Sequence, residues 1–337
     1  MIQHNKPTIG NEEHDAIIRV LNSGHLSQGQ EVNSFENEFC KFIGLPNGHA
    51  VALSSGTASL FLSLWVLNSS GKKIAFPGYV CSAVRNAVGM VGGRECLIDN
   101  AKDSPNLSFD EMKKKSADVV IIPHMFGIPS QIERYQHVSI IEDCAQSLGA
   151  KINGKSVGTQ GDVGIFSFYA TKLMTTGGQG GMFVSKNKGF VDKVRDYREF
   201  DYRDDKKLRF NFQMTDIQAA VGREQLKKLP KFIHRREEIF KLYQESGLDL
   251  IDVKQDEQEK LKPVRYRAIL KTNNPDKTIS LLKKVNVESC VPVEDWELLD
   301  KSSNFKNAFY FTKNTVSLPI YPSLTNEEIE TVLSVFN

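Results

Sequence analysis

Six short runs of apolar and β-forming residues constrain the fold of this chain more than any other feature. They are KIAFP (73–77), ECLID (95–99), DVVIIPHMFG (118–127), VSIIED (138–143), VGIFSF (163–168) and GMFVS (181–185). Turn residues bound each run, and helical or loop stretches separate them. Strands apolar on both faces belong in a parallel sheet covered by helices on either side. Strands alternating with helices specify an α/β architecture rather than separate all-α or all-β layers.

The intervening segments fit that architecture. NEEHDAIIRVLNSG (11–24) reads as a helix capped by Asn11, with Gly24 just past its end. SLFLSLWVL (59–67) is apolar nearly all round and reads as a buried helix. After about residue 213 the character changes to a long helical stretch, expected to bend or break at Pro230. The final SLTNEEIETVLSVF carries a capping-box pattern in Thr325 and Glu328. The expectation is an α/β chain with a large domain over 1–235, built on a mostly parallel central sheet flanked by helices, and a smaller C-terminal α+β domain over 236–337.

The 337 residues are long enough for both domains, and the net charge of +2 offers no field for nucleic acid or an anionic membrane. Five scattered cysteines, without a C-x-x-C pair, suggest neither a disulfide framework nor a zinc site. With no basic region followed by an apolar run at the start and no apolar run near the ~20 residues of a membrane span, a cytoplasmic compartment is expected.

Several familiar chemistries lack their signatures. The glycines at 177, 178, 180 and 181 do not form G-x-G-x-x-G, and neither a Walker sequence, G-x-S-x-G nor H-E-x-x-H occurs. Three other segments remain. In VALSSGTASLFLSL (51–64) small polar residues lead into the buried helix, whose start offers free amides and a favourable dipole to a phosphate. Capping by Ser55 or Thr57 is the plain alternative. In SIIEDCAQSLGA (139–150), Glu142 and Asp143 end a strand, where α/β sheets bind ligands and where caps also occur. In FSFYATKLMTTGGQGGMF (166–183), Lys172 follows a core strand, as a reactive amine or a solvated lysine.

Taken together, a phosphate site, an acid and a lysine are what pyridoxal 5'-phosphate (PLP) requires. The acid keeps the pyridine nitrogen protonated, and the lysine bonds to the aldehyde and then moves a proton. Twenty-nine residues separate Asp143 from Lys172, enough for one crossover between strands.

At this point the chain resembles the DegT/DnrJ/EryC1/StrS family of PLP-dependent sugar aminotransferases, with the aspartate-aminotransferase type of fold. The likeness rests on VLNSGHLSQGQEVNSFENEF, SSGTASL, PHMFGIPSQIE, IIEDCAQSLGA, GDVGIFSFYATK, QGGMFVS, NFQMTDIQAAVGREQLKKL and SLPIYPSLTNEEI, in family order along most of the chain. The resemblance implies that Lys172 carries the cofactor, that Asp143 pairs with its ring nitrogen and that Gln146 faces its ring hydroxyl. It implies that Gly56, Thr57, the Ala58 backbone and Ser167 hold the phosphate. It also implies a homodimer in which Asn211 and Gln213 reach the partner's phosphate. Cys81 stands where the family usually stacks an aromatic residue on the ring, with Tyr79 as the alternative aromatic on the same face. The implied reaction moves an amino group from an amino acid, L-glutamate by family habit, to a keto-sugar, nucleotide-linked, in amino-sugar and surface-polysaccharide biosynthesis. The alternative is a catalytically altered PLP-fold protein, dehydratase-like or with a binding or regulatory role. Family dehydratases replace the lysine by histidine, and this chain retains Lys172. His124 and Tyr169 lie near these segments, as cofactor contacts or as packing.

Overall fold

The computed structural model describes residues 1–336. In chain order the first half comprises α1 (Asn11–Ser23), α2 (Gln30–Ile43), β1 (Ala50–Leu53), α3 (Gly56–Val66), β2 (Lys73–Pro77), α4 (Ala83–Met90), β3 (Arg94–Ile98), α5 (Phe109–Lys114), β4 (Val119–Pro123) and β5 (Ser139–Asp143). There follow β6 (Lys151–Ile152), β7 (Lys155–Ser156), β8 (Val163–Ser167), β9 (Gly181–Val184), α6 (Lys188–Arg198) and α7 (Asp216–Glu245). The chain continues with β10 (Leu261–Lys262), β11 (Ala268–Lys271), α8 (Pro275–Lys284), α9 (Lys306–Asn314), β12 (Thr315–Leu318) and α10 (Asn326–Leu333).

Seven strands form the central sheet in the order β1-β9-β8-β5-β4-β2-β3. The six apolar runs supply six of them, and the seventh, β1, is a four-residue strand that the sequence reading passed over. The β3-β2-β4-β5-β8 ladder is parallel, whereas β9 runs antiparallel to both β1 and β8. The sheet is thus mostly parallel, as expected, with β9 as the strand that runs against the rest. A buried strand has the same apolar pattern in either direction, and the connection after β8 (168–180) holds no crossover helix, so it returns the chain directly as an antiparallel neighbour. The order reverses between β2 and β4, which are adjacent although β3 intervenes in sequence. Ligands of open α/β sheets bind outside the carboxyl ends of strands at such a switch point.

One local expectation is corrected, and of the bend or break expected at Pro230 the break does not occur. Gly10, not Asn11, caps α1, and the Glu13 carboxylate accepts the Gly10 N–H at 2.8 Å. Helix α7 runs unbroken through Pro230. An internal proline costs roughly 3 kcal/mol, but Leu226, Leu229 and Phe232 bury their side chains on both sides of it, and packing outweighs local propensity. Capping by Thr325 and Glu328 is present as expected.

Helix α7 passes residue 235 without interruption and serves two apolar clusters. Ala219, Leu226 and Leu229 pack with the large sheet. Ile239, Phe240 and Tyr243 pack with Ala268, Leu270, Val316 and Leu318 of the antiparallel β11–β12 pair. Arg236, wholly buried between these clusters, donates to the carbonyl oxygens of Arg265, Tyr266 and Ile320 at 3.2, 3.1 and 2.7 Å.

Candidate active site

A cavity of about 310 Å³ opens over the carboxyl ends of β2, β4, β5 and β8. Gly56, Thr57, Cys81, Asp143, Gln146, Ser167 and Lys172 all line it. Residues spread over 117 positions of sequence thus meet because parallel strands place their ends in one row.

Adjacent residues on β5 face opposite sides. Glu142 turns away from the cavity and is wholly buried. Its carboxylate accepts the amide N–H groups of Gly158, Gln160 and Gly161 at 2.9, 2.7 and 2.6 Å and the His124 Nε2–H at 3.2 Å. Nδ1 of His124 accepts the Ser130 N–H at 2.9 Å, so the proton lies on Nε2 and the ring is neutral. Burial alone would raise the Glu142 carboxyl, but the imidazole and these amides more than offset it and hold it below its ordinary value. Glu142 and His124 therefore form a satisfied polar brace under the site. Cys144 lies beside them, but burial pushes its thiol far up, and a protonated thiol is a poor metal ligand.

Asp143 faces the cavity instead. One carboxylate oxygen accepts the Ala145 N–H at 3.0 Å, and the other is left for a ligand. Burial raises its pKa above the ordinary value, while the Ala145 amide and the Lys172 charge pull the other way. Such a carboxyl gains most from a cationic partner. Gln146 accepts the Phe126 N–H on its carbonyl oxygen at 2.7 Å, which turns its amide NH₂ outward.

Lys172 hangs from the turn after β8, where its own N–H donates to the Tyr169 carbonyl at 2.9 Å. The loop then reverses through Gly177 and Gly178 at φ of 87° and 129°, which side-chain-bearing residues rarely adopt. Nζ lies 5.2 Å from the centre of the Tyr266 ring, a contact between elements 94 positions apart that no sequence signal marks.

The head of α3 closes the opposite side. Ser55 is its cap, and Ser55 Oγ accepts the Ala58 N–H at 3.1 Å. The amides of Gly56 and Thr57, the first two of the helix, have no intrahelical acceptor. A Cβ at Gly56 would stand 2.9 Å from Ser167 Cβ, so glycine lets the helix head meet the end of β8. Ala58 does not line the cavity. Asn211 does not line it either, and its Oδ1 accepts the Gln213 N–H at 3.1 Å on the surface.

Cys81 is exposed at the cavity wall. Tyr79 does not take its place as a stacking residue. Its ring is wholly buried, packed between Phe126 and Phe311 at centroid distances of 6.1 and 5.8 Å. Leu60, Val84, Met125 and Ile165 form apolar walls that carried no functional signal in sequence. His124 and Tyr169 line the cavity as well, and Gln179 joins them from the glycine loop.

The family model for DegT/DnrJ/EryC1/StrS aminotransferases matches residues 7–337. The chain belongs to this family. It is therefore an aminotransferase of the DegT/DnrJ/EryC1/StrS group. GDP-perosamine synthase of Escherichia coli O157:H7 is 26% identical, over 96% of this chain and 94% of its own length. The dTDP-4-dehydro-2,3,6-trideoxy-D-glucose 4-aminotransferase of Saccharopolyspora spinosa is 30% identical over 72% of this chain and 70% of its own. The aminotransferase TlmJ from Streptoalloteichus hindustanus shares the fold, with a TM-score of 0.90 and 24% identity over 100% of this chain and 98% of its own. No helix among the described residues is long and apolar enough to cross a membrane.

Proposed function

We propose that this DegT/DnrJ/EryC1/StrS aminotransferase uses PLP to move an amino group from L-glutamate to the carbonyl carbon of a nucleotide-linked keto-sugar. One observation carries the reading: Lys172, Asp143 and the uncapped amides of α3 face a single cavity. The residues fit the cofactor. Gly56 and Thr57 present N–H groups where a dianionic phosphate gains from the helix dipole, with the Ser167 hydroxyl opposite. Asp143 offers a half-satisfied buried carboxylate to a pyridinium, and Gln146 offers an N–H to a ring oxygen. When bound, PLP supplies the electron sink that makes the Cα–H of an amino acid acidic. With the cofactor in place, Lys172 Nζ would be the base that takes the donor's Cα proton and would hold it for return across the C–N bond. Apolar walls from Leu60, Val84 and Ile165 keep water from competing.

One relative is named for GDP-perosamine and the other for a dTDP-linked sugar, so the family by itself does not choose the nucleotide. The test is a half-reaction screen in which pyridoxamine-form protein meets GDP-, dTDP- and UDP-linked keto-sugars. Return of the aldehyde-form absorbance with at least one is the expected result. No return with any nucleotide-linked sugar, alongside turnover of a simple keto acid, removes the sugar reading.

The site is proposed to be shared within a homodimer. Tyr202, Leu208 and Phe210 are exposed apolar side chains in the stretch that carries Asn211, as a surface covered by a second copy would be. The Ser54 N–H donates to the Phe212 carbonyl at 2.8 Å, which holds that stretch beside the head of α3. Mixing a Lys172→Ala chain with an Asn211→Ala, Gln213→Ala chain should restore part of the activity, because one site of each mixed dimer then carries neither defect. No recovery despite proven subunit exchange rules out sharing.

A further inference from the structure

Lys172 borders a second, far smaller cavity as well as the one over the sheet. This second cavity measures about 10 Å³, and its polar lining is Lys6, Thr8, Lys172, Thr175, Gln225 and Arg236. Three of these residues are cations and none is a carboxylate. None of the three cations belongs to an ion pair within 4.0 Å among the described residues.

Arg236 is the most constrained of them. It is wholly buried, and the partners of its Nη1 are backbone carbonyl oxygens, which carry no net charge. Its Nε has no hydrogen-bond partner, and neither does the buried hydroxyl of Thr8 on the same lining. Burial presses the guanidinium down to about 10, and the one acidic group whose charge opposes this is the Tyr266 phenol, which does not line the cavity. Glu13 comes no nearer than Gln225, whose Nε2–H it accepts at 2.7 Å, and its charge is already matched by Lys228 at 2.7 Å. Burying a charge without a counter-ion is costly, and orphaned buried donors add to the cost.

We infer that this cavity binds one chloride ion, held by Arg236 Nε, the Thr8 hydroxyl and the charge of Lys172. Each of these groups can donate a hydrogen bond, so together they suit an acceptor with no proton of its own. A water molecule would satisfy the two orphaned donors but leave the charge unbalanced. The volume is room for about one solvent-sized particle, which excludes phosphate, carboxylates and the cofactor itself. Lys6 and Pro7 on the lining are exposed, so the ion has an entry from solvent. The site goes beyond the transamination reading and does not depend on it, although the two cavities share Lys172.

The test uses the full-length protein. Raising sodium chloride from about 1 to about 100 mM, with sodium gluconate keeping the ionic strength constant, should lift the unfolding midpoint by roughly 2 °C or more. Gluconate is too large for the cavity, so a midpoint that stays flat as chloride replaces it overturns the site. Arg236→Met, where it folds, should lose the chloride dependence. Thr8→Val is the gentler variant, because Thr8 is only half-buried and the side chains match in shape. It should need at least threefold more chloride for the same rise. A chloride dependence in both variants equal to that of wild type overturns the assignment. Crystals grown in sodium chloride give a reading that needs no variant. Long-wavelength diffraction should show an anomalous chlorine peak beside Arg236 Nε and Thr8 Oγ1. Density there without an anomalous signal is a water molecule, and that result, like an empty cavity, overturns the anion.

Discussion

Lys172→Ala is expected to lower transamination by about 10⁴-fold or more, because in the proposed reaction the residue both bonds to the cofactor and moves the proton. Borohydride reduction of wild-type holoenzyme followed by peptide mapping should place the pyridoxyl group on residue 172. The variant should still take up PLP non-covalently, since the α3 amides, Ser167 and Asp143 remain in place. Its fold should hold as well. Lys172 makes no ion pair within 4.0 Å among the described residues, and its side chain is only half-buried. A pyridoxyl label on another lysine, or a variant with near-normal turnover, would falsify the assignment.

Asp143→Asn should separate catalysis from folding. Loss of one preorganised charge partner in a water-excluded site costs about 10²–10³ in rate, and kcat should fall on that scale while PLP stays bound. The unliganded proteins should show the opposite order of stability. Burial raises the Asp143 pKa in the folded state. The unfolded chain therefore gives up this proton at lower pH than the folded one, and stability is lost as pH rises from the ordinary aspartate range through the raised value. Above the raised value the cost is fully present, and a neutral amide does not incur it. Unliganded Asp143→Asn should thus unfold at an equal or higher temperature than unliganded wild type, yet gain less on adding PLP. A variant that unfolds well below wild type without cofactor would mean that Asp143 serves the fold rather than the ligand. A comparison with Glu142 sharpens the point. Glu142 accepts four hydrogen bonds within the protein, and Asp143 accepts one.

Much of this was legible in the residues alone. Periodicity located six of the seven central strands and the all-apolar helix α3, because burial on both faces leaves a mark at short range. Lys172, Asp143, Ser167 and the Ser55–Thr57 turn stood out because polar groups at the ends of apolar runs are few and each has a defined chemistry. Their order along the chain matched one family, and that family is the one the chain belongs to.

Other features were decided only in three dimensions. The direction of β9 depends on its neighbours, not on its own residues. Which of Glu142 and Asp143 faces the cavity depends on the register of β5 against β4 and β8, since one residue's shift exchanges the faces. Tyr79 is withheld from the site because Phe126 and Phe311 close over it from distant elements. Pro230 leaves α7 whole because two cores hold the helix on either side of it. Lys172 and Arg267 come to 5.2 and 5.7 Å from the centre of the Tyr266 ring, and nothing at any one of these positions predicts the others. Local sequence determines which segments can be strands, helices and reactive ends, because those preferences act over a few residues. Which ends meet, and which charges are left without partners, is set by long-range packing, where burial energies summed over many side chains override what each segment prefers alone.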